Sequence, residues 1–318
     1  MVPYIFNPQW NNWVYSLYGA AQAGFVDQDG KALLWIHQPE LKNALMTLNR
    51  WYREGYMVEE NYGWTSANTQ QEWAYAGRAF VCAALTNYSD NFDAGCRDAG
   101  VDYTWTPVTD IRTEDSAIWT TSTGWRGFFI TRNCSNPEAA IKAARFLYGK
   151  EETGYPMLWG VEGEDWQWNE DHTLATFNYG LEDTEIKTVR QLYWGWLGHD
   201  GISNNMAYAA NEKTRMGLDW VGSITIRNPV LGLIMNSMDA ESHEYVMYQQ
   251  IVELEDNYLA KIGTASTEEE ALALYDEMIT IAGQLGADEL EAWANEKYPE
   301  LIEQYEQVRS VGEEGWSK

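Results

Sequence analysis

The sequence predicts an α/β fold with an excess of helix, and three observations carry that prediction. Residues 125–152 contain an apolar strand, a short polar turn and an alanine-rich helix, which together form one α/β unit. Apolar residues at helical spacing recur over 39–53 and over much of 245–308. A chain of 318 residues is also long for one compact core, so two lobes are expected.

The first recognisable elements are a tight turn and an amphipathic helix. Residues 27–30 (DQDG) begin like a calcium-binding loop, but the further ligands and the distal glutamate are missing, so the pattern predicts a turn. A helix is predicted over 39–53, with Pro39 in its first turn and Gly55 just after its end. The apolar positions at helical spacing are Leu41, Ala44, Leu45, Leu48, Trp51 and Tyr52.

Three short strands are predicted in the following part of the chain. Residues 77–85 (GRAFVCAAL) indicate a buried strand, and residues 101–108 (VDYTWTPV) and 125–131 (WRGFFIT) indicate two more. After the third strand, Asn136 is expected to cap a helix that begins at Pro137. The predicted buried stripe of that helix is Ile141, Ala144 and Tyr148, with Gly149 at its end.

The rest of the chain is predicted to be loops followed by long helices. Residues 150–245 are rich in Trp, Gly and acids, which is typical of surface loops between short helices. Ser266 and Glu269 fit a capping box. The helix that follows it is expected to bury Ala271, Leu274, Tyr275, Met278 and Ala282. One further helix, or two joined at Pro299, completes the chain.

The composition excludes some partners and favours others. With 48 acidic and 21 basic residues the formal charge is −27, so binding to nucleic acid or to an anionic membrane surface is not expected. The chain has 17 Trp and 20 Tyr but only 8 Phe. Trp and Tyr are favoured where a flat apolar face meets a polar partner, such as the C–H face of a sugar. Packing in a helical core is the alternative explanation.

Metal, disulfide and membrane signals are weak. The cysteines (Cys82, Cys96 and Cys134) are odd in number and widely spaced, so free thiols are predicted, and the four histidines form no zinc motif. No window is long and apolar enough for a transmembrane helix, and the first residues do not resemble a signal peptide. Two interpretations stay open: a cytoplasmic protein, or a secreted one whose precursor begins upstream. No cofactor is called for.

An enzymatic function has one candidate cluster. Nucleophile elbows, P-loops and dinucleotide-binding fingerprints are absent from the sequence. Glycoside hydrolysis needs two facing carboxylates, and Glu162 and Glu164, with Asp165 beside them, lie among aromatic residues. In a chain with 48 acids such a pair is easily found, so a solvated acidic loop is the simpler explanation.

A binding function requires only aromatic platforms and a few polar groups. The candidates lie at the ends of predicted elements, where a strand or turn delivers a side chain to a cleft. They are Tyr88 and Asn87 after the first strand, Trp125 and Arg126 before the third, and Trp10 and Trp13 among the asparagines near the start of the chain. Each of the aromatic residues could instead be packing in the core or between lobes.

Several segments in order resemble a known family. They are PELKNALMTLNRWYREGYMVEENY, GRAFVCAALTNYSDNF, VDYTWTPV, GWRGFFITRNCSNPEAAIKAARFLYGKEE, WGVEGEDWQW and LYDEMITIAGQLGADELEAWANEKYPE. Together they are similar to the extracellular solute-binding proteins of carbohydrate ABC transporters (family 1), of the large lipoprotein type of Gram-positive bacteria. The resemblance covers about residues 25–305.

The resemblance implies a periplasmic-binding-protein-like fold of the class II type, with two lobes around a cleft that closes on a carbohydrate by a hinge motion. It implies no catalysis, delivery of the sugar to permease subunits, and an extracellular monomer anchored by a lipid in its full-length form. The lobes would be discontinuous: residues 1–110 and 181–318 would form most of the second lobe, and 111–180 would return to the first.

The resemblance also implies that the N-terminal portion of the family is missing, so that the first lobe is incomplete and this chain alone binds sugar weakly or not at all. It favours Tyr88 and Asn87 as ligand contacts, then Trp125 and Arg126. Trp10 and Trp13 are placed less securely, because the similarity fades before residue 25. The alternatives are a glycoside hydrolase or lyase using Glu162 and Glu164, a carbohydrate-binding surface module, and a purely structural helical protein.

Overall fold

The structure is a computed structural model that describes residues 2–6, 12–64, 66–84, 89–121, 129–148, 160–172, 174–178 and 212–316. The strands are β1 (Val2–Ile5), β2 (Phe25–Gln28), β3 (Lys31–Leu34), β4 (Ala79–Cys82), β5 (Ile118–Thr120), β6 (Trp166–Trp168), β7 (Ala175–Phe177) and β8 (Thr225–Arg227). The helices are α1 (Asn12–Leu17), α2 (Pro39–Arg53), α3 (Ala67–Tyr75), α4 (Ser89–Asp98), α5 (Pro137–Tyr148), α6 (Glu212–Ile224), α7 (Pro229–Asn236), α8 (His243–Thr264), α9 (Glu268–Gln284) and α10 (Ala287–Trp316). Short 3-10 turns lie at Trp35–His37 and Glu59–Gly63.

The strands pair two by two in the described part of the chain. Strands β1 and β4 are parallel, with Val2 opposite Ala79, and β5 and β8 are parallel, with Ile118 opposite Thr225. The pairs β2–β3 and β6–β7 are antiparallel. Parallel strands are joined by long connections that run over the faces of the sheet. The predicted α/β character with an excess of helix is therefore confirmed.

Strand β1 separates two cores. Tyr4 and Phe6 point into a large core, whereas Ile5 belongs to a smaller one with Ala74 of α3 and Phe92 of α4. Because successive side chains of a strand point to opposite faces, helices pack on both sides of the β1–β4 pair. The result is a layered arrangement of helix, sheet and helix.

The large core consists mainly of helices. Helix α2 presents Leu41, Leu45 and Leu48 to it, as the sequence predicted, and all three are at most 1% exposed. Helices α7 to α10 supply the other side. The core thus combines residues from the outer ranges 1–110 and 181–318, while the proposed division into lobes stays a prediction. No helix within the described ranges is both long and apolar enough to cross a bilayer.

The β2–β3 hairpin turns tightly at the predicted place. Asp29 (φ 55°) and Gly30 (φ 79°) are both left-handed, as a two-residue hairpin turn requires, and the Gly30 amide donates to Asp27 Oδ1 over 3.1 Å. The turn prediction for 27–30 is confirmed.

Helix α10 covers the outer edge of this hairpin. The Ala32 amide donates to Asn295 Oδ1 (3.0 Å), and Asn295 Nδ2 donates back to the Ala32 carbonyl (2.8 Å). One helical turn earlier, Glu291 Oε2 accepts the Leu34 amide (3.0 Å). Side chains of a helix therefore take the place of a third strand.

Two strand predictions need correction. The first strand is shorter than 77–85, and its residues Phe80 and Val81, which border a cleft, are 66% and 37% exposed. Residues 101–108 form no strand. The Trp105 amide donates to the Asp93 carboxylate (2.6 Å) and Pro107 has no amide hydrogen, so the segment lacks the donors of a ladder.

The third predicted strand and the helix after it are partly confirmed. Residues 129–131 form no strand, and 125–128 lie outside the described residues. Asn136 Oδ1 accepts the Ala139 amide (3.0 Å), so the predicted cap of α5 is confirmed. The buried stripe is wrong at Ile141, which is 57% exposed because the described residues leave that face of α5 open. The Tyr148 side chain and Gly149 are not among the described residues.

The C-terminal helices agree with the sequence except at one cap. The cap of α9 is Thr267, whose Oγ1 accepts the Glu270 amide (3.1 Å), while Glu270 Oε2 accepts the Ser266 amide (2.9 Å). The capping pair therefore lies one residue later than predicted, because threonine is itself a good cap. Of the five expected residues, Ala271, Tyr275, Met278 and Ala282 are buried and Leu274 is partly buried. Helix α10 continues through Pro299 as one helix.

A buried carboxyl joins three elements inside the large core. Glu255 of α8 accepts hydrogen bonds from Tyr15 Oη of α1 (3.2 Å) and from Trp35 Nε1 of the 3-10 turn (2.5 Å). Burial raises the pKa of Glu255 to about 8, with a smaller contribution from the charge of Asp256 and opposition from the two hydrogen bonds. The carboxyl is therefore mostly protonated at neutral pH.

We expect the stability of the protein to fall as pH rises from about 4.5 to about 8. The pKa of Glu255 is higher in the folded chain than its ordinary value of 4.5, so its contribution is fully present below pH 4.5 and is lost as the pH passes the folded value. The loss should be on the order of 4 kcal/mol in the free energy of unfolding, measured by urea denaturation.

The matched control is Glu255→Gln, which keeps an acceptor for Trp35 but does not ionise. Its free energy of unfolding should vary less with pH, and at pH 8 it should exceed that of the wild type. Equal pH dependence of the two proteins would contradict this assignment.

Candidate functional site

Most of the ligand contacts predicted from the sequence cannot be compared with the structure. Tyr88, Asn87, Trp125, Arg126 and Trp10 lie outside the described residues. They stay predictions, and only Trp13 can be placed.

Trp13 lies where a core and a cleft meet. Its indole Nε1 donates to Tyr4 Oη over 2.7 Å, and its ring contacts those of Tyr4 (centroids 5.3 Å apart) and Trp51 (5.6 Å). The same residue also borders the cleft. The packing role that the sequence left open is therefore observed for Trp13, and its role as a ligand platform stays a prediction.

The cleft has a volume of about 500 Å³. Its walls come from α1, the end of β4, the segment before β5, β5 itself and α6. The described lining consists of Trp13, Ser16, residues 80–84, Phe92, residues 105–109, Ile111, Ile118, Gly217, Leu218, Trp220 and Val221. The carboxyl ends of parallel strands are the usual place for a ligand in an α/β sheet, and β4 reaches the cleft with that end.

The end of β4 is held by a buried glutamine. Gln70 of α3 is 3% exposed, and its Nε2 donates to the carbonyl of Ala83 and contacts Cys82 Sγ at 2.9 Å. This contact fixes the backbone just where β4 ends. Phe80 and Val81 lie just before this point, and both border the cleft.

A carboxylate joins the other two walls. Asp93 of α4 accepts the Trp105 amide through Oδ1 (2.6 Å) and forms an ion pair with Lys213 of α6 through Oδ2. Both side chains of the pair are about three-quarters buried, at 23% and 24% exposed. Trp105 Nε1 also donates to Cys96 Sγ (3.3 Å), so its ring is held at both ends.

Helix α6 contributes an unusual donor. The helix borders the cleft with Gly217, Leu218, Trp220 and Val221, which recur at helical spacing. Trp220 Nε1 is buried and has no hydrogen-bond partner. A buried donor without a partner is costly, so this N–H group is an exception to the usual pairing of buried polar groups.

The described lining carries no charge. Its one ionisable side chain is Cys82, and burial raises the pKa of this thiol to about 12, so it stays neutral. Within the described ranges, no three His, Cys, Asp or Glu side chains come close enough to hold a metal ion. The described cysteines are free thiols, as predicted, although only Cys96 is fully buried.

The acidic cluster suggested for glycoside hydrolysis lies elsewhere. Glu162 and Glu164 are exposed in the turn before β6, and neither lines the cleft. Asp165 is used locally, since its Oδ2 accepts the Val161 amide (2.8 Å). The described residues form no pocket around these carboxylates, so the hydrolase alternative is not favoured.

Sequence reasoning missed three of the cleft residues. Phe80 was placed in a buried strand, Trp105 was assigned to a strand, and Trp220 was not singled out. The proline two residues after Trp105 was a usable signal, because proline is rare inside a central strand. Nothing in the sequence near Trp220 distinguishes a cleft-facing tryptophan from one that packs in a core.

Similarity to known proteins is found at the level of structure. No protein-family model matches the chain, and no curated protein matches its sequence. The alginate-binding protein AlgQ2, solved without calcium ion, is similar with a TM-score of 0.55 and 15% identity over 94% of this chain. The N-glycan transport solute-binding protein NgtS from Streptococcus pneumoniae gives 0.55 and 19% over 95%. The HMO-binding, ABC-transporter-associated solute-binding protein from Bifidobacterium longum infantis gives 0.54 and 14% over 93%.

The chain spans 64% of the length of each of these three structures. At these identities the likeness shows a shared fold. The resemblance found in the sequence is therefore confirmed for the fold, which the chain shares with these three binding proteins.

The Asp93–Lys213 pair offers a test of how the cleft walls are held. Asp93→Asn keeps an acceptor for the Trp105 amide but removes the charge, and Lys213→Met removes the partner. In a double-mutant cycle we expect a coupling of about 1 kcal/mol in the free energy of unfolding, because the pair is mostly shielded from water.

The control is the pair Glu138–Lys142 of α5, which is 79% and 74% exposed. Its coupling should stay below about 0.5 kcal/mol. A coupling at Asp93–Lys213 no larger than that of the control would show that the ion pair does not stabilise the junction of the walls.

Proposed function

We propose that this chain binds a carbohydrate in the described cleft and that the whole protein delivers it to the permease of an ABC transporter. The observation that carries the proposal is the cleft itself: three tryptophans, Trp13, Trp105 and Trp220, border a space of about 500 Å³. The shared fold with carbohydrate-binding transport proteins supports it.

The chemistry of the lining suits a sugar. Indole rings offer flat apolar faces for the C–H face of a pyranose and an N–H group for an oxygen. The volume falls within the range of about 300–1,000 Å³ that is usual for small-molecule sites. Ser16 and the threonines of 105–109 add hydroxyl groups that can bond to sugar hydroxyls.

The proposal is binding without catalysis. The described lining contains no pair of carboxylates, which favours binding over the alternative of hydrolysis by Glu162 and Glu164. The proposed cycle consists of capture, closure of two lobes by a hinge and release to the permease. It takes place outside the cell, with the protein acting as a monomer that a lipid anchors to the membrane.

The predicted contacts outside the described residues remain part of the proposal. Tyr88 and Asn87 follow Ala84 of the lining by at most four residues, a reach of about 14 Å for an extended chain. Trp125 and Arg126 follow β5, which lines the cleft through Ile118, and Trp10 precedes α1. Their position in the chain supports a role at the rim of the cleft.

The test is sugar binding by the 318-residue chain, measured by saturation-transfer NMR, which also detects dissociation constants on the order of 1 mM. The probes are alginate oligosaccharides and N-glycan fragments, the ligand types that the names of two similar structures suggest. We expect weak binding of at least one probe without new reducing ends, because the resemblance implies an incomplete first lobe. New reducing ends would indicate a hydrolase, and no binding of any probe would contradict the proposal.

Substitutions at two phenylalanines test whether the sugar binds in the cleft. Phe80→Ala should weaken binding by about tenfold, because it removes apolar surface from the cleft wall. Phe129→Ala is the control, since Phe129 is 87% exposed and is not part of the lining. Equal affinities of the two variants would place the sugar elsewhere.

A further inference from the structure

We propose that the ligand of the cleft is an electrically neutral sugar and that the indole N–H of Trp220 donates the hydrogen bond that orients it. This inference deepens the proposed function and rests on it. Its observations are the hydrogen bonds of the three cleft tryptophans and the charge of the lining.

The three cleft tryptophans differ in the state of their N–H groups. Trp13 donates to Tyr4 Oη (2.7 Å), and Trp105 donates to Cys96 Sγ (3.3 Å). Trp220 Nε1, in contrast, is buried without a partner. Trp13 and Trp105 can therefore offer a ligand only their faces, whereas Trp220 has a donor to offer.

The unpaired N–H group of Trp220 has an energetic cost. A buried donor left unpaired costs about 1–3 kcal/mol, and buried polar groups are otherwise almost always satisfied. A sugar oxygen placed at this point removes that cost, so the donor selects both the position and the orientation of the ring. Indole nitrogen only donates, so the matching ligand atom must be an acceptor.

The charge of the cleft argues against an acidic sugar. The described lining has no charged side chain, and a carboxylate buried without a cation or several donors is strongly disfavoured. The formal charge of −27 on the chain adds a long-range repulsion against a uronate. A neutral sugar avoids both the cost of burying a charge and the long-range repulsion.

Three basic residues that are near lining residues in the sequence do not themselves line the cleft. Lys213 is bound to Asp93, and Arg112, which follows the lining residue Ile111, donates to Ser223 Oγ (3.3 Å). Arg215 lies on α6 but not on the face formed by Gly217, Leu218, Trp220 and Val221. The described surroundings thus contain no cation that lines the cleft.

The first experiment compares neutral trisaccharides of mannose and glucose with the corresponding trisaccharides of uronic acids on the 318-residue chain. We expect the neutral series to bind at least tenfold more tightly, with an affinity that changes little between low and 0.5 M salt, because a neutral ligand has no charge for the salt to screen. Equal or tighter binding of the uronates would overturn the charge inference, point to Arg126 as a cation in the cleft, and leave carbohydrate binding intact. Binding of neither series would overturn the proposed function as well.

The second experiment follows the indole N–H groups by NMR with nitrogen-15 labelling. On addition of the tightest neutral trisaccharide, the Trp220 N–H resonance should shift, and those of Trp13 and Trp105 should shift less, because their donors are already bonded. Trp220→Phe should lower the affinity by about tenfold, as expected for one lost hydrogen bond.

The matched control is Trp166→Phe, which removes an indole outside the cleft whose N–H donates to the Gly160 carbonyl (3.1 Å). Its affinity should equal that of the wild type. An unshifted Trp220 resonance in the presence of bound sugar would overturn the role of Trp220 even if the Trp220→Phe variant does not fold. An unchanged affinity of a folded Trp220→Phe variant would do the same.

Discussion

The buried carboxyl of Glu255 is the contact on which the geometry of the cleft depends. It joins α8 to α1 and to the turn at Trp35, three segments that are far apart in sequence. Helix α1 has only six residues and would not be stable alone. Because Tyr15 is anchored to Glu255, its neighbour Trp13 faces the cleft from a fixed helix.

Polar contacts at the other walls have the same role. Ser16 of α1 accepts the Ala117 amide through its carbonyl (2.9 Å), and Trp119 Nε1 donates to the Gly19 carbonyl (2.8 Å), so α1 is tied to β5. Asp93 ties the segment at Trp105 to α6. An apolar lining offers no directional contacts, so its shape is determined by hydrogen bonds and ion pairs one layer behind it.

The sequence was a good guide where local rules decide the structure. The helix at 39–53, the turn at 27–30 and the cap at Asn136 follow from periodicity and backbone preferences, and the structure has them. It was a poor guide where contacts with residues distant in sequence determine the structure. Phe80 in an apolar run has the same pattern whether it enters a core or a cleft. The role inferred for Trp220 depends on the absence of a hydrogen-bond acceptor near its Nε1, and a sequence pattern cannot show that absence.

The covered edge of the β2–β3 hairpin has a consequence for how this protein behaves among its own copies. An open strand edge is a template on which another chain can add a strand, and this is a common route to aggregation. At β3 the Ala32 amide and carbonyl are already bonded to Asn295, and the Leu34 amide is bonded to Glu291. Growth of the hairpin into an intermolecular sheet is therefore blocked on this side by two side chains of α10.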